Sequence, residues 1–240
     1  RDETLGQPAA ILAWPVKVWD FLRQWPVVPG TIVVVLLISA VFAPLLAPHD
    51  PIKQDLRSRN LPPFWYEKGS LKYPLGTDNY GRDILSRIMY GARISLMVAG
   101  IALGVGLVVG TAMGLVAGYF GGIVDEVIMR MVDLWLALPF LLIAFVVAVV
   151  IGPSLTTVIW LLALSSWSAG ARNVRGEVLH LKTMDYVALA KVAGASHARI
   201  LYRHILPQVA HVLIVITTLR TGGLIIAEAG LSFLGVGVPA

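Results

Sequence analysis

The residue types most capable of chemistry are three serines near the end of an apolar segment, Ser165, Ser166 and Ser168, with His180 further along the chain. A serine nucleophile needs a base within hydrogen-bond reach. No base stands beside these serines in the apolar segment, so the pattern does not favour an intramembrane hydrolase. The chain has no cysteine, which excludes disulfides, thiolate zinc sites and cysteine nucleophiles. It has no Gly-x-x-x-x-Gly-Lys-Ser/Thr phosphate loop, so we expect no ATP hydrolysis here.

Two charged residues, Arg220 and Glu228, lie within another long apolar segment. A charge at the centre of a membrane helix costs about 2.5–3.5 kcal/mol on insertion scales, so Arg220 should face protein or a watery cavity. Glu228 follows about two turns later on a similar helix face. Either structural pairing of the two residues or lining of a substrate path explains them. We predict no catalytic residue and no metal site.

A polar cluster, Asp78, Arg82 and Asp83, precedes the second apolar segment. Asp83 is suited to capping a helix that begins at Ile84, because a carboxylate can accept hydrogen bonds from the first amides of a helix. Local ion pairing and contact with an external partner protein are the two interpretations of this cluster. Neither interpretation makes it catalytic.

A second polar cluster opens the third apolar segment with Asp125, Glu126, Arg130 and Asp133. Glu126 and Arg130 are four positions apart, which places them on one helix face and predicts an ion pair. Acidic residues also suit the start of a helix. We therefore predict a structural anchor here.

The composition indicates an integral membrane protein. Of 240 residues, 57% are hydrophobic and 14% charged, and the net charge is +5. Soluble domains usually carry about 25% charged residues. The basic residues lie mostly between apolar segments, as expected beside membrane spans, so nucleic-acid binding is not favoured.

Five apolar runs are long enough to span a bilayer, which takes about 20 residues per helix. The fold class predicted is all-α, a polytopic helical bundle. The predicted spans are 27–47, 94–120, 123–151, 155–171 and 209–229. The spans belong to one transmembrane domain, 27–240. The loops 48–93 and 172–207 then lie on opposite sides of the membrane, and the basic residues, 10 on the N-terminal side against 8 on the other, leave the orientation open.

The segment 1–26 precedes the first span and repeats tryptophan at Trp14, Trp19 and Trp25. Tryptophan with nearby basic residues suits a helix lying at the membrane interface, and a frayed tail is the alternative. The second span carries a different repeat, glycines at every fourth position from Gly106 to Gly118. Such a strip allows close approach of a neighbouring helix, either for packing alone or as a sliding surface.

The polar segment 172–207 predicts a helix-turn-helix bracket. Residues from Leu179 to Ala193 suit a first helix that ends at Gly194, which can adopt positive φ without a Cβ clash. Ser196 suits the N-cap of a second helix, and Pro207 is expected to close it and open the fifth span. Exposed contacts are expected from the following residues: Tyr186, Leu189, Lys191, Arg199, Ile200, Leu201 and Arg203.

This segment resembles the coupling loop of permeases of bacterial ABC importers, whose pattern is Glu-Ala-Ala, three residues, Gly, nine residues, Ile, one residue, Leu-Pro. The matching positions are Ala190, Gly194, Leu206 and Pro207, and the departures are Ala188 for Glu, Leu189 for Ala and His204 for Ile. The stretches 73–96 and 228–238 resemble the C-type permease subunit for dipeptides, oligopeptides or nickel.

The resemblance implies a permease subunit of the bacterial or archaeal inner membrane, with loop 172–207 cytoplasmic and loop 48–93 external. It implies a homologous second permease, two cytoplasmic ATPases that hold ATP and Mg, an external solute-binding protein, and a sixth span beyond Ala240. The residues expected to contact the ATPases are Tyr186, Ala190, Lys191, Gly194, Ala195, Ser196, Arg199, Leu206 and Pro207. Those expected in the external contact are Gly76, Asp78, Arg82 and Asp83. The expected cargo is dipeptides or oligopeptides, and nickel or another small solute is the alternative. An ion-coupled transporter is the remaining alternative, disfavoured because few acidic residues lie at mid-membrane.

Overall fold

The computed structural model describes residues 27–237. The interfacial helix predicted in 1–26 and the sixth span predicted after Ala240 lie outside the described residues. Within this range the regular elements are helices, with one isolated antiparallel bridge between Thr77 and Asp83, and the segment 47–83 is mostly turns and loops; this confirms the all-α class. Chain contacts divide the protein into two compact units with the boundary between Ile94 and Ser95.

The helices follow one another in the order that the apolar runs predict. Their bounds are α1 Val27–Val41, α2 Ala43–Leu46, α3 Ile84–Phe120, α4 Gly122–Ala137, α5 Phe140–Ile151, α6 Leu155–Leu181, α7 Asp185–Val192, α8 His197–Ile200 and α9 Leu206–Phe233. A short 3-10 turn occupies Leu56–Ser58, and a π-helical turn, Leu201–Ile205, joins α8 to α9.

Two helical stretches are long and apolar enough to cross a membrane by themselves, Ile84–Phe120 and His197–Phe233. The pair α4 and α5 counts as a third if it forms one span. α1 has 15 residues, and α6 mixes serine and tryptophan with its apolar residues. Each of the five predicted spans therefore falls on a helix or a helix pair. Among the described residues, only α3, the stretch that ends with α9, and the α4–α5 pair if it is one span are long and apolar enough to cross a membrane.

The third span is not the single straight helix that the apolar run predicts. α4 and α5 meet at an angle of 81°. Pro139 lacks a backbone N–H and restricts the residue before it. Leu138 accordingly adopts an extended conformation, with φ −84° and ψ 131°. The break lies inside the predicted span, so apolar composition alone hides it.

The helix after the fourth span is also longer than predicted. α6 continues ten residues past Ala171 to Leu181, so the membrane helix and the first part of the polar segment are one rod. A turn over residues 182–184 separates it from α7. The first bracket helix therefore begins at Asp185 and not at Leu179, and that predicted boundary is wrong.

The glycine strip of α3 faces α6. A Cβ placed on Gly114 would stand 2.7 Å from Val174 Cβ, and one on Gly118 would stand 2.7 Å from Val178 Cβ. A side chain at either position would therefore force the two helices apart. Gly104, about three turns before Gly114, has nothing within 4 Å. The structure shows tight helix packing at the strip and gives no separate support to a sliding surface.

Candidate functional site

The bracket, residues 185–207, turns on Gly194. Gly194 has φ +77°, and its N–H donates to the Lys191 carbonyl at 3.0 Å. The Ala195 N–H donates to the Ala190 carbonyl at 3.0 Å. These two bonds form a Schellman motif, which satisfies the last carbonyls of α7. The predicted helix end at Gly194 is confirmed.

The second arm begins as predicted but does not end as predicted. The Ser196 hydroxyl accepts a hydrogen bond from the Arg199 N–H at 3.4 Å, so Ser196 caps α8. The chain then stays helical through the π turn into α9, and the Leu206 N–H donates to the Leu201 carbonyl. A five-residue spacing widens the helix where Pro207 has no N–H to donate. Pro207 therefore does not close the second arm, because the helix passes through it.

An apolar cluster seats the bracket on the membrane helices. Its buried members are Val174, Val178, Leu181, Val187, Ile200, Ile205 and Val209, from α6, α7, α8, the π turn and α9. Ile200 is fully buried, so the prediction that it contacts a partner is wrong. Interiors packed this way resist deformation, so the two arms are firmly attached to α6 and α9.

Three polar contacts tie the bracket and the end of α6 to the end of α3. Tyr119 Oη and His197 Nδ1 lie 2.8 Å apart. Lys182 Nζ donates to the Gly118 carbonyl at 2.8 Å. The Lys191 ammonium lies 5.7 Å from the centre of the Tyr119 ring, within cation–π range. The sequence does not reveal these contacts, because the hydrogen-bonded partners are 64 and 78 positions apart.

The outer face of the bracket forms a groove of about 590 Å³. It is lined by Tyr186, Leu189, Ala190, Ala193, Ala195, Arg199, Arg203 and His204. None of these described lining residues is acidic. Leu189 is 68% exposed and lies at the groove, so an apolar contact is available to a partner. Four of the predicted coupling residues therefore share one surface: Tyr186, Ala190, Ala195 and Arg199.

The other predicted coupling residues have different positions. Lys191, Gly194 and Ser196 are exposed near the turn between the arms. Leu206 lines a separate apolar groove between α3 and α9 of about 450 Å³. Pro207 is exposed in the first turn of α9. The predicted set therefore divides among three places: the outer groove, the turn between the arms, and the junction between the π turn and α9.

The polar cluster at the start of α4 pairs with α6 and not within itself. Asp125 accepts two hydrogen bonds from the Arg175 guanidinium, at 2.5 and 3.0 Å. Asp133 pairs with Arg172. No ion pair joins Glu126 to Arg130 among the described residues, so that predicted pair is wrong. The structural anchor exists, but it fastens two helices together.

In the first unit, Asp78 and Asp83 organise the approach to α3. Asp83 Oδ2 accepts hydrogen bonds from the N–H and the hydroxyl of Ser86, at 3.1 and 2.5 Å, which confirms the predicted cap. Asp78 binds Arg82 Nε and Arg87 Nη1, both at 2.8 Å. Burial raises the pKa of Asp78, but hydrogen bonds from the Arg82 amide and guanidinium outweigh it and lower the pKa below its ordinary value of 3.8.

Gly76 shapes the same loop. It has φ +80°, and its N–H donates to the Tyr73 carbonyl at 2.8 Å. Its carbonyl accepts the Ile84 N–H at 3.2 Å. Any larger residue would meet the carbonyl of Leu61. Gly76 and Asp83, which is 1% exposed, therefore hold the loop from inside.

A cavity of about 350 Å³ lies at the break between α4 and α5. Its lining residues are Trp135, Leu136, Leu138, Phe140, Ile143, Ser165, Ser166, Arg220, Gly223, Leu224 and Ala227. Ser165 and Ser166 both donate their hydroxyls to the Leu162 carbonyl at 2.8 Å. These hydroxyls are therefore held by their own helix and are not aimed at a base.

Arg220 and Glu228 do not pair. Arg220 faces the cavity, and no ion pair or side-chain hydrogen bond joins it to any residue in the described part of the chain. Glu228 is 8% exposed and accepts hydrogen bonds from the Ser95 and Ser232 hydroxyls, at 2.7 and 2.9 Å. The predicted pairing is wrong, since the serines satisfy the carboxylate. Pro139 is the signal in the sequence for the break that forms the cavity.

The sequence of this chain is similar to those of known membrane components of transport systems. The family model for the binding-protein-dependent transport system inner membrane component matches residues 106–240. The model for the N-terminal TM domain of oligopeptide transport permease C matches residues 18–63. The chain belongs to the family of binding-protein-dependent transport system inner membrane components. This is a family of transport proteins, as the sequence predicts.

Three similar curated proteins are each named dipeptide transport system permease protein DppC. The Bacillus subtilis protein is 41% identical over 209 residues, which are 87% of this chain and 63% of that protein. The Haemophilus influenzae protein is 43% identical over 206 residues, 86% of this chain and 70% of that protein. The Escherichia coli K12 protein is 45% identical over 218 residues, 90% of this chain and 73% of that protein. The chain therefore spans about two thirds of the length of these relatives.

Proposed function

We propose that this chain is one of two permease subunits of an ATP-driven importer for dipeptides and short oligopeptides. The observation that carries the proposal is the bracket, a basic, stiffly seated pair of helices with an open groove. The relatives named as dipeptide permeases support the cargo class.

The partners that fit the bracket are two cytoplasmic ATPases, which bind ATP and Mg, each holding one permease. Leu189 offers an apolar contact, and Arg199 and Arg203 provide positive charge beside it. Burying about 200 Å² of apolar surface contributes roughly 5 kcal/mol at 25 cal/mol per Å². Such a contact is modest in energy, so it acts mainly through its shape. Closing and opening of the ATPases would shift the bracket and tilt α6 and α9 with it.

The second permease and an external solute-binding protein complete the proposed assembly. The loop before α3 is the surface for the binding protein. Its interior is fixed by Gly76, Asp78 and Asp83, whereas Tyr80 is 49% exposed, and the Arg82 guanidinium lies 4.9 Å from the centre of its ring. We therefore expect the loop to act as a firm platform. Its outward-facing Tyr80, and not the buried Asp83, would contact the binding protein.

The cavity at the helix break is the proposed part of the translocation path in this chain. Arg220 is the charged residue of its lining, and Glu228 does not line it. An irregular backbone inside a membrane is tolerated where it is buried in protein or lines a cavity. The break at Leu138 and Pro139 fits that rule, since Leu138 lines the cavity.

The test is ATP-dependent uptake by the complete complex in proteoliposomes. The chain is purified with its two ATPases, second permease and binding protein, and labelled dialanine, a tripeptide and nickel are offered separately. We expect peptide accumulation only when ATP and Mg are supplied on the side of the ATPases. Accumulation without any ATPase present would contradict the proposal, and uptake of nickel alone would replace peptide by nickel as cargo.

A further inference from the structure

The middle of α9 carries a positive charge that the described part of the chain leaves unpaired. Arg220 lies near the centre of this 28-residue helix and is solvent-exposed. No carboxylate among residues 27–237 stands within 4.0 Å of it. None of the described residues that line its cavity is acidic. Within residues 27–237, Arg220 therefore has no anionic partner, and its charge is available to an anion that enters the cavity.

The helix break adds to the positive potential of the cavity. α5 begins at Phe140, and Leu138 and Phe140, on either side of the break, both line the cavity. The start of a helix carries partial positive charge from its aligned peptide dipoles. The charge of Arg220 and the partial charge at the start of α5 therefore both make the electrostatic potential in the cavity more positive.

We propose that Arg220 binds the terminal carboxylate of the peptide cargo as it passes through the cavity. This inference rests on the proposed function, because it assumes that a peptide enters. A guanidinium matches a carboxylate with two parallel hydrogen bonds, which a lysine cannot reproduce. The α-amino end of the peptide finds no acidic partner among the described lining residues, so the carboxylate end is the one held.

The rest of the cavity suits a short peptide. Its volume of about 350 Å³ falls within the roughly 300–1,000 Å³ of small-molecule sites. Trp135, Leu138 and Phe140 supply apolar walls, so varied side chains can be accommodated without specific hydrogen bonds. Recognition of the invariant peptide end, with apolar walls for the variable part, fits a path that carries many sequences.

The test uses a cysteine placed in the lining. The chain has no cysteine of its own, so Ser165→Cys gives it one thiol at the cavity. The complex of the two permeases and the two ATPases, with the binding protein left out, is treated with a maleimide, with and without ATP, and labelling of this subunit is read by its mass. Dialanine and dialanine amide are compared as protecting ligands. Neither ligand has to pass the binding protein in this assay, so the selectivity of that protein does not intervene.

We expect dialanine to protect the introduced thiol in at least one nucleotide state, and the amide to need about 10–100-fold higher concentration, as for loss of a hydrogen bond to a charged group. In Ser165→Cys with Arg220→Gln, dialanine should be as weak as the amide. Arg220→Lys should recover part of the difference. Thr218→Val, whose native hydroxyl donates to the Ile214 carbonyl outside the cavity lining, serves as the control and should leave the difference intact.

Equal protection by the acid and the amide would overturn the inference. So would an unchanged preference in Arg220→Gln, which would show that another group holds the carboxylate. Absence of any protection in a complex that takes up dialanine with ATP would also overturn it while leaving the proposed function standing. A complex that takes up no peptide would instead refute the proposed function.

Discussion

The bracket and the cavity lie in the same unit but satisfy their polar groups in opposite ways. In the bracket, Gly194, Ser196 and His197 all have partners inside the chain, and an apolar cluster lies beneath them. In the cavity, the Arg220 charge has no partner within 27–237. Under the proposed function this difference is expected, because a part that transmits force has its polar groups paired within the chain, whereas a part that binds cargo keeps a polar group available.

The same contrast occurs within one helix. Glu228 and Arg220 are two turns apart on α9, yet Glu228 is buried and accepts two hydrogen bonds while Arg220 faces an open cavity. Because one side chain is basic and the other acidic, residue type alone suggests that they form an ion pair. The difference teaches that burial and partners, not the presence of a charge, separate structural residues from candidate binding residues.

The largest effect is expected from Gly194→Pro, which attacks the completeness of the bracket. Proline fixes φ near −65° and has no N–H, whereas Gly194 has φ +77° and donates to the Lys191 carbonyl. We expect loss of ATP-driven dialanine uptake in proteoliposomes, with ATP binding by the partner ATPases retained. Gly176→Ala, at an exposed glycine with nothing within 4 Å, is the control. Normal uptake by Gly194→Pro would break the comparison.

The next largest effect is expected from the packing of α3 against α6, next to the apolar cluster under the bracket. Gly114→Ala places a Cβ 2.7 Å from Val174 Cβ, and Val174 belongs to the cluster under the bracket. We expect a loss of about 1–3 kcal/mol in stability, the usual cost of overpacking. Thermal unfolding in detergent measures it.

The matched control for this variant is on the same helix. Gly104→Ala adds a methyl where nothing lies within 4 Å, so its stability should be unchanged or slightly higher. Equal unfolding temperatures for the two variants would show that the glycine strip does not support the seat of the bracket.

Glu228 and Arg220 provide a direct test of satisfied against open charge. Glu228→Leu leaves the Ser95 and Ser232 hydroxyls without their acceptor, which should cost about 1–3 kcal/mol. Arg220→Leu removes a charge without a partner in the described chain and should not lower the unfolding temperature. Thermal unfolding of both variants in detergent decides the matter, and a larger loss in Arg220→Leu would reverse the comparison.

The smallest effect is expected in the loop before α3, where Asp78, like the polar groups of the bracket, has partners inside the chain. Because the pKa of Asp78 is lowered in the folded protein, its contribution is present above about pH 3.8 and is lost as the pH falls through its folded value. The difference in unfolding temperature between the native protein and Asp78→Asn should therefore shrink below about pH 4. A difference that does not change with pH would contradict the assignment.

The sequence predicts features that depend on neighbouring residues. The Schellman turn at Gly194, the cap at Ser196 and the cap at Asp83 all follow from side-chain types within a few positions. The apolar runs place the helices, because about 20 such residues are needed to span a bilayer. The bend at Pro139 and the passage of the helix through Pro207 escape prediction, since proline breaks a helix in one context and is absorbed by a π turn in another.

Partnerships across the fold lie beyond the sequence. Asp125 pairs with Arg175, 50 positions away, in place of the near pair Glu126 and Arg130. Ser95 binds Glu228 across 133 positions. Both outcomes depend on which helix faces pack together. A single sequence shows which residues share a helix face, but it does not show which helix packs against that face.

The central claim is that the groove of the bracket is where an ATPase takes hold, and a cross-linking comparison tests it most directly. Leu189→Cys and Phe233→Cys each place one thiol in a chain without cysteine, at sites that are 68% and 91% exposed. In the assembled complex, a thiol-to-lysine cross-linker should join Leu189→Cys to an ATPase subunit at a rate that changes with ATP, and should leave Phe233→Cys unlinked to it. Linkage of the ATPase to Phe233→Cys, with none to Leu189→Cys, would contradict the account.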